Sequence, residues 1–255
     1  MLNKVLPFIL LASDNYATLT YLEYLKKEGF CFKKIIYVNK SNQVSIFKKN
    51  ENKDLVNRLQ DNFSLRINYD IDFIDYSEYS SDIETVKVNS DYDDNLLKVV
   101  KKYSSEVFFF SYRGRVPRPF LDVARFIHIH PGIMPNIRGS DGLFWSLLER
   151  GKAGATMFFL DEGIDDGEII FQSEYLINDI QIDLNKYTTS EIYRGILNYF
   201  DPYIRAKVFV EAIKQKNDLL QTLNSYEKVE GRQFFTMHTL LLEKVIKTYF
   251  GEINE

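Results

Sequence analysis

From Val5 to Ile129, short apolar runs alternate with helix-period patterns, and this alternation leaves few folds open to the chain. Val5–Ala12 reads as a strand. Tyr16–Glu28 reads as a helix with Tyr21, Leu22 and Leu25 on one side and Gly29 as its stop. Ile35–Val38 is the second strand. Asp54–Phe63 is a helix with Leu55, Val56 and Leu59 inward, and Ile71–Ile74 is the third strand. Asp93–Lys102 is a helix carrying Leu96, Val99 and Val100, followed by strands at Val107–Phe110 and Phe126–Ile129. Strands joined by helices build parallel sheets, so the expected fold class is α/β. It is Rossmann-like: a mostly parallel sheet with helices on both faces. No G-x-G-x-x-G follows the first strand, so a dinucleotide site is not expected there. The polar stretch Asn39–Lys53 reads as a surface loop.

Composition narrows the function classes. With 45% hydrophobic residues in 255, the chain can build a sizeable core. Its formal net charge is −4 and no Lys/Arg cluster stands out, which argues against a nucleic acid held by bulk charge. The single cysteine, Cys31, precludes an intramolecular disulfide framework and fits a reducing, cytoplasmic setting. Lys4 ahead of Val5–Ala12 has the look of a minimal signal segment. However, no convincing cleavage site follows, and Ser13-Asp14-Asn15 reads as a helix cap, so a buried first strand is expected. No apolar run approaches the ~20 residues that a membrane helix needs.

Past Gln172 the pattern turns helical. Thr188-Thr-Ser-Glu191 has capping-box spacing and opens a helix through Ile192, Ile196 and Tyr199. Asp201-Pro202 is expected to cap another, with Ile204, Val208 and Ala212 in register. A final amphipathic helix holds Leu241, Leu242, Val245 and Ile246. Two units are therefore expected: residues 1–177 as the catalytic Rossmann-like domain and 178–255 as a smaller, mainly helical C-terminal extension docked on it.

The chemistry concentrates between Phe126 and Gln172. His128 and His130 are two apart in an apolar run that Pro131 and Gly132 end, so both imidazoles share a face near a strand's C-terminal end. Ligands of open α/β sheets bind there. The run Ala155–Leu160 leads into Asp161-Glu-Gly163-Ile-Asp165-Asp-Gly167, a tight loop whose carboxylates cannot easily face the core. A carboxylate beside a histidine can orient the imidazole or hold its charge. His-x-His plus an aspartate can also hold a divalent ion. No fourth ligand is obvious, because His238 lies far off in sequence, and no metal site is expected.

His128-Ile-His130-Pro-Gly-Ile-Met-Pro135-Asn-Ile-Arg138-Gly139 and Gly163-Ile-Asp165-Asp-Gly167 resemble, in order and spacing, the two motifs of the formyltransferase family that uses 10-formyltetrahydrofolate. The resemblance is strong over about 126–172 and only topological before that. It implies a catalytic trio in which His130 and Asp165 match and His128 stands where the family has Asn. That Asn donates an N–H to the formyl oxygen. A histidine can donate as well, and its protonation is then expected to alter the rate near neutral pH. The family's folate loop falls on Arg115, Val116 and Pro117, with Phe110, Tyr112, Asp161 and Gly163 beside it. Pro135, Arg138 and Gly139 fall at the substrate, where the arginine fork suits a phosphate or carboxylate.

The resemblance thus implies an N-formyltransferase taking its formyl group from 10-formyltetrahydrofolate. Chain length, acidic charge and the Arg-Gly loop look like the branch that formylates nucleotide-linked amino sugars for surface polysaccharides. The expected partners are that small-molecule amine, no nucleic acid and no membrane, with a homodimer as the assembly to test. The alternatives are a hydrolase of formyltetrahydrofolate, a metal-dependent hydrolase, and a non-catalytic folate-binding relative.

Overall fold

A computed structural model describes residues 4–41, 44–47, 52–61, 63–177, 180–215 and 231–251. Among the described residues nine strands run in chain order. They are β1 (Lys4–Ala12), β2 (Phe30–Lys40), β3 (Ile83–Val88), β4 (Val107–Ser111), β5 (Arg125–Pro131), β6 (Arg138–Gly139), β7 (Ala153–Phe159), β8 (Ile169–Tyr175) and β9 (Gln233–Phe234). The α-helices are α1 (Tyr16–Lys27), α2 (Lys53–Gln60), α3 (Asp94–Lys102), α4 (Arg118–Leu121), α5 (Gly142–Arg150), α6 (Thr189–Gly195), α7 (Asp201–Gln215) and α8 (Thr239–Phe250). One sheet has the order β3-β2-β1-β4-β5-β7-β8, parallel from β3 to β5 and antiparallel at β5–β7 and β7–β8. This is the α/β, Rossmann-like fold that the alternation implies.

Side chains alternate across the sheet, and two buried clusters result. Phe109 and Ile127 face one, with α1, α5 and α7; Phe108, Phe110 and Phe126 face the other, with α3 and α4. The first is built on aromatic packing. Phe209 of α7 stacks on Phe109 at 4.3 Å and 15°, and Tyr21 of α1 meets Phe109 edge-on at 5.1 Å. Helix α7 therefore belongs to the main helix layer. The boundary expected at residue 177 divides the sequence but not this core, which takes buried side chains from both sides of it.

Strand order reverses between β1 and β4, where a dinucleotide would sit in this architecture. Here hydrogen bonds close that crevice. The Ser111 carbonyl accepts from Asn15 Nδ2 at 3.0 Å, Thr18 Oγ1 at 2.9 Å and Ser13 N at 3.4 Å. Open space moves one strand over, to the ends of β4 and β5.

Three expectations need correction. The third strand is Ile83–Val88 rather than Ile71–Ile74. The buried Ile74 gives its N–H to the Asp14 carboxylate at 3.0 Å instead of to a strand. Helix α2 stops at Gln60, short of Phe63. Asp201 does not cap a helix, because a π-helical turn over Ile196–Phe200 joins α6 to α7 directly. Much of the loop expected over Asn39–Lys53, and residue 178 itself, lie outside the described residues.

Candidate active site

Strand β5 carries both histidines to the sheet's C-terminal edge, paired with Phe158 and Thr156 of β7. The His128 ring lies between Phe110 and Phe158, edge-on to each at 5.8 Å and 6.0 Å. Its Nδ1 is 3.3 Å from the Phe110 carbonyl oxygen. Burial, aided by the Arg205 charge, pushes its pKa down to about 4, against the pull of Asp165. The ring is therefore neutral at physiological pH, and the expected change of charge near neutrality does not occur at this position.

His130 is 3% exposed, with Nδ1 3.3 Å from Asp165 Oδ2. Burial lowers its pKa, while Asp165 and Asp201 oppose that shift. Its other ring edge packs on the start of α5. A Cβ at Gly142 would lie 3.0 Å from Nε2 and 1.6 Å from the Pro131 carbonyl oxygen, so only glycine lets α5 close over this ring.

Asp165 adopts a left-handed φ of +46° in the loop between β7 and β8. Aspartate tolerates this better than most side chains, and the turn aims its carboxylate back at β5. Oδ2 accepts from the Gly139 backbone N–H at 2.9 Å as well as facing His130. Asp166 pairs with Arg138 at 2.7 Å. The arginine fork expected to grip a substrate anion is thus already occupied, with Nη2 3.4 Å from the Gly231 carbonyl oxygen.

The C-terminal segment covers this loop. Strand β9 pairs with β6, and the Pro135 carbonyl accepts from Arg232 N at 3.2 Å. Asp141 accepts from the Tyr193 hydroxyl at 2.7 Å and from Met237 N at 2.8 Å. Pro135, Arg138 and Gly139 therefore lie against β9 and the residues that lead into it.

Two further groups support the histidines, neither of them placed at the site by the sequence. Thr156, fully buried opposite His130, donates to the Gly132 carbonyl at 2.7 Å and accepts from Met134 N at 3.1 Å, which fixes the turn after the strand. Its one signal is a lone hydroxyl in the apolar run Ala153–Phe159. Asp201 and Arg205 form a buried ion pair at 2.6 Å whose charges reach both histidines.

A cleft of about 480 Å³ opens between the loop after β4 and the loop after β7. Phe110, Tyr112, Arg115, Val116, Asp161 and Gly163 line it. Gly114, Leu160 and Ile164 join them, and His128 and Asp165 also lie on its wall. Pro117 does not line it and caps α4 instead. Apolar walls with a few convergent polar groups are the usual make-up of a small-molecule site. Among the described residues no three His, Cys, Asp or Glu side chains gather as a metal site, and none of the helices is long and apolar enough to cross a membrane.

Residues 5–196 match the family model described as formyl transferase. Over 91 residues, 34% of this chain, it is 33% identical to a methionyl-tRNA formyltransferase from Thermodesulfovibrio yellowstonii. Over 84 residues, 33% of the chain, it is 31% identical to a dTDP-4-amino-4,6-dideoxyglucose formyltransferase from Mycobacterium bovis. These matches span 30% and 36% of the two relatives' own lengths. Among solved structures, a 4-N formyltransferase from Francisella tularensis aligns over 90% of this chain and 76% of its own, at 18% identity and a TM-score of 0.46.

Proposed function

Since the chain belongs to the formyl transferase family, we propose that it is an N-formyltransferase moving a formyl group from 10-formyltetrahydrofolate to the amino group of a nucleotide-linked amino sugar. One observation carries the reading: a ligand-sized cleft at the strand ends has His128 and Asp165 on its wall, with His130 held behind Asp165. The cleft fits a folate. Phe110, Val116, Leu160 and Ile164 offer apolar walls to a flat ring, with His128, Asp161 and Asp165 on one side and Tyr112 and Arg115 of the loop after β4 on the other. When bound, 10-formyltetrahydrofolate supplies a formyl carbon open to attack by an amine.

The chain's own residues do the rest. Asp165, on the cleft wall, holds the His130 ring by Nδ1 and favours its protonated form, so the buried pair answers negative charge that grows on the formyl oxygen through its field rather than by a direct hydrogen bond. Preorganised electrostatic stabilisation of this kind is worth ~100- to 1,000-fold in turnover. A nucleotide-linked sugar suits this chain better than a tRNA, because a net charge of −4 without a basic cluster gives a polyanion little to hold. The mycobacterial relative, named for such a sugar, points the same way.

The test follows tetrahydrofolate release from 10-formyltetrahydrofolate with and without dTDP-4-amino-4,6-dideoxyglucose. Amine-dependent release with formylated sugar as product is the expected result. Equal release without amine would make the protein a hydrolase, and folate binding without release would make it a non-catalytic relative.

A further inference from the structure

We infer that His128 is the proton acceptor of this site: its Nε2 presents a lone pair to the cleft and takes the proton of the attacking amine. The inference rests on the transferase reading above and assigns this side chain a role opposite to the donor role expected from its position in the motif.

The argument starts from one contact. His128 Nδ1 lies 3.3 Å from the Phe110 carbonyl oxygen, and a carbonyl can only accept. The neutral ring must therefore carry its single proton on Nδ1. The other tautomer would set two lone pairs against each other across that contact. Nε2 is then bare and cannot donate to a formyl oxygen.

It is also open. Among the described residues Nε2 of His128 has no hydrogen-bond partner, yet it is not one of the sealed polar atoms, as Nε2 of His130 is. His128 lines the cleft together with Asp165. The edge-on rings of Phe110 and Phe158 hold the imidazole plane.

The groups that face His128 keep it neutral. Arg205 from α7 and His130 on its own strand oppose a second proton, as burial does, while Asp165 and the Phe110 carbonyl favour one. The balance leaves the lone pair available throughout the neutral range.

The step balances as follows. The amine nitrogen bonds to the formyl carbon, and the bond from that carbon to the donor's nitrogen breaks. The proton lost by the amine goes to Nε2 of His128 and from there to the departing nitrogen. No oxidant or further reactant is needed, and His128 ends neutral, as it began.

Two measurements test this. The first is ¹⁵N NMR of the full chain labelled at its histidine rings, without ligand, with His128 assigned by its loss in His128→Asn. An Nδ1–H tautomer that stays neutral from pH 8 to below pH 6 is expected. An Nε2–H tautomer, or titration near the ordinary histidine value, overturns the acceptor role. The second is turnover of His128→Asn and His128→Gln, both of which keep an N–H donor but cannot take up a proton. Each is expected to lose ~100-fold or more in kcat while binding 5-formyltetrahydrofolate as the parent does. An Asn variant with parental turnover would restore the donor role. If the unmodified protein formylates no amine, the transferase reading fails, and the acceptor role with it. An active protein with an Nε2–H tautomer refutes the acceptor role alone.

Discussion

Replacing Asp201 by Asn should damage stability far more than its place on a helix suggests. The side chain is 4% exposed, and its Oδ2 lies 2.6 Å from Arg205 Nη2, one turn along α7. Asn keeps the shape and removes the charge, which leaves a buried guanidinium without its counter-ion. Breaking such a pair from one side costs about 3–5 kcal/mol, a large part of a typical folding free energy. In a chain of this length that corresponds to a fall in Tm of roughly 6–20 °C. Removing both charges together, as Asp201→Leu with Arg205→Met, should cost little or even stabilise, because the desolvation of two ions disappears with their attraction. The histidines respond separately. Asp201 raises the His130 pKa, so the single variant lowers it. Arg205 lowers that of His128, so the double variant raises it. Urea unfolding and histidine NMR titration read both effects. A single variant within about 1 kcal/mol of the parent, or a double variant no more stable than the single, would refute the reasoning.

Three further outcomes are expected. His130→Ala and Asp165→Asn should each lower turnover by ~100-fold or more while the far-UV circular dichroism stays unchanged; near-normal rates would mean that other groups carry the reaction. Binding of 5-formyltetrahydrofolate should slow hydrogen exchange in residues 112–116 and 160–165 and leave the surface of α2 unaffected, whereas protection elsewhere would displace the folate site. Unfolding stability should fall on acidification between about pH 6.5 and 4. The folded His128 pKa of about 4 lies below the ordinary value of 6.5, so the unfolded chain binds more protons in that window. The His128 share is at most about 3 kcal/mol, and His128→Asn should flatten that part of the stability curve.

The sheet was legible where strands are buried on both faces. Val5–Ala12, Val107–Phe110 and Phe126–Ile129 are near-continuous apolar runs, and each is a strand. Strand β3 escaped because an edge strand buries only one side: Ile83-Glu-Thr-Val-Lys-Val88 alternates and carries two charges, whereas Ile71–Ile74 is more apolar yet lies outside the sheet. In the site, it was the resemblance of the two motifs to a known family that brought His128, His130 and Asp165 together. Their working states were not legible, because each is set by a distant partner. The Phe110 carbonyl fixes the His128 tautomer, and Asp166 occupies Arg138. Asp201 and Pro202 have the residue types of a helix start, and only the π-helical turn before them, with its extra residue per turn, places Asp201 inside a continuous helix.

The pairing of β6 with β9 joins Arg138 to Gln233 and Gly139 to Phe234 across some ninety-five positions of chain. The same Gly139 gives its N–H to Asp165. On the ribosome the sheet, both histidines and Asp165 are made by Tyr175, and the strand that fixes Gly139 follows about sixty residues later. At about 5–20 residues per second, the half-built site waits roughly 3–12 s. During that interval Asp165 has its histidine but lacks the anchor that holds Gly139 beside it. The nascent protein should therefore acquire its fold before its activity, and a factor that binds the exposed Pro135–Asp141 loop in that window could hold it inactive without unfolding it.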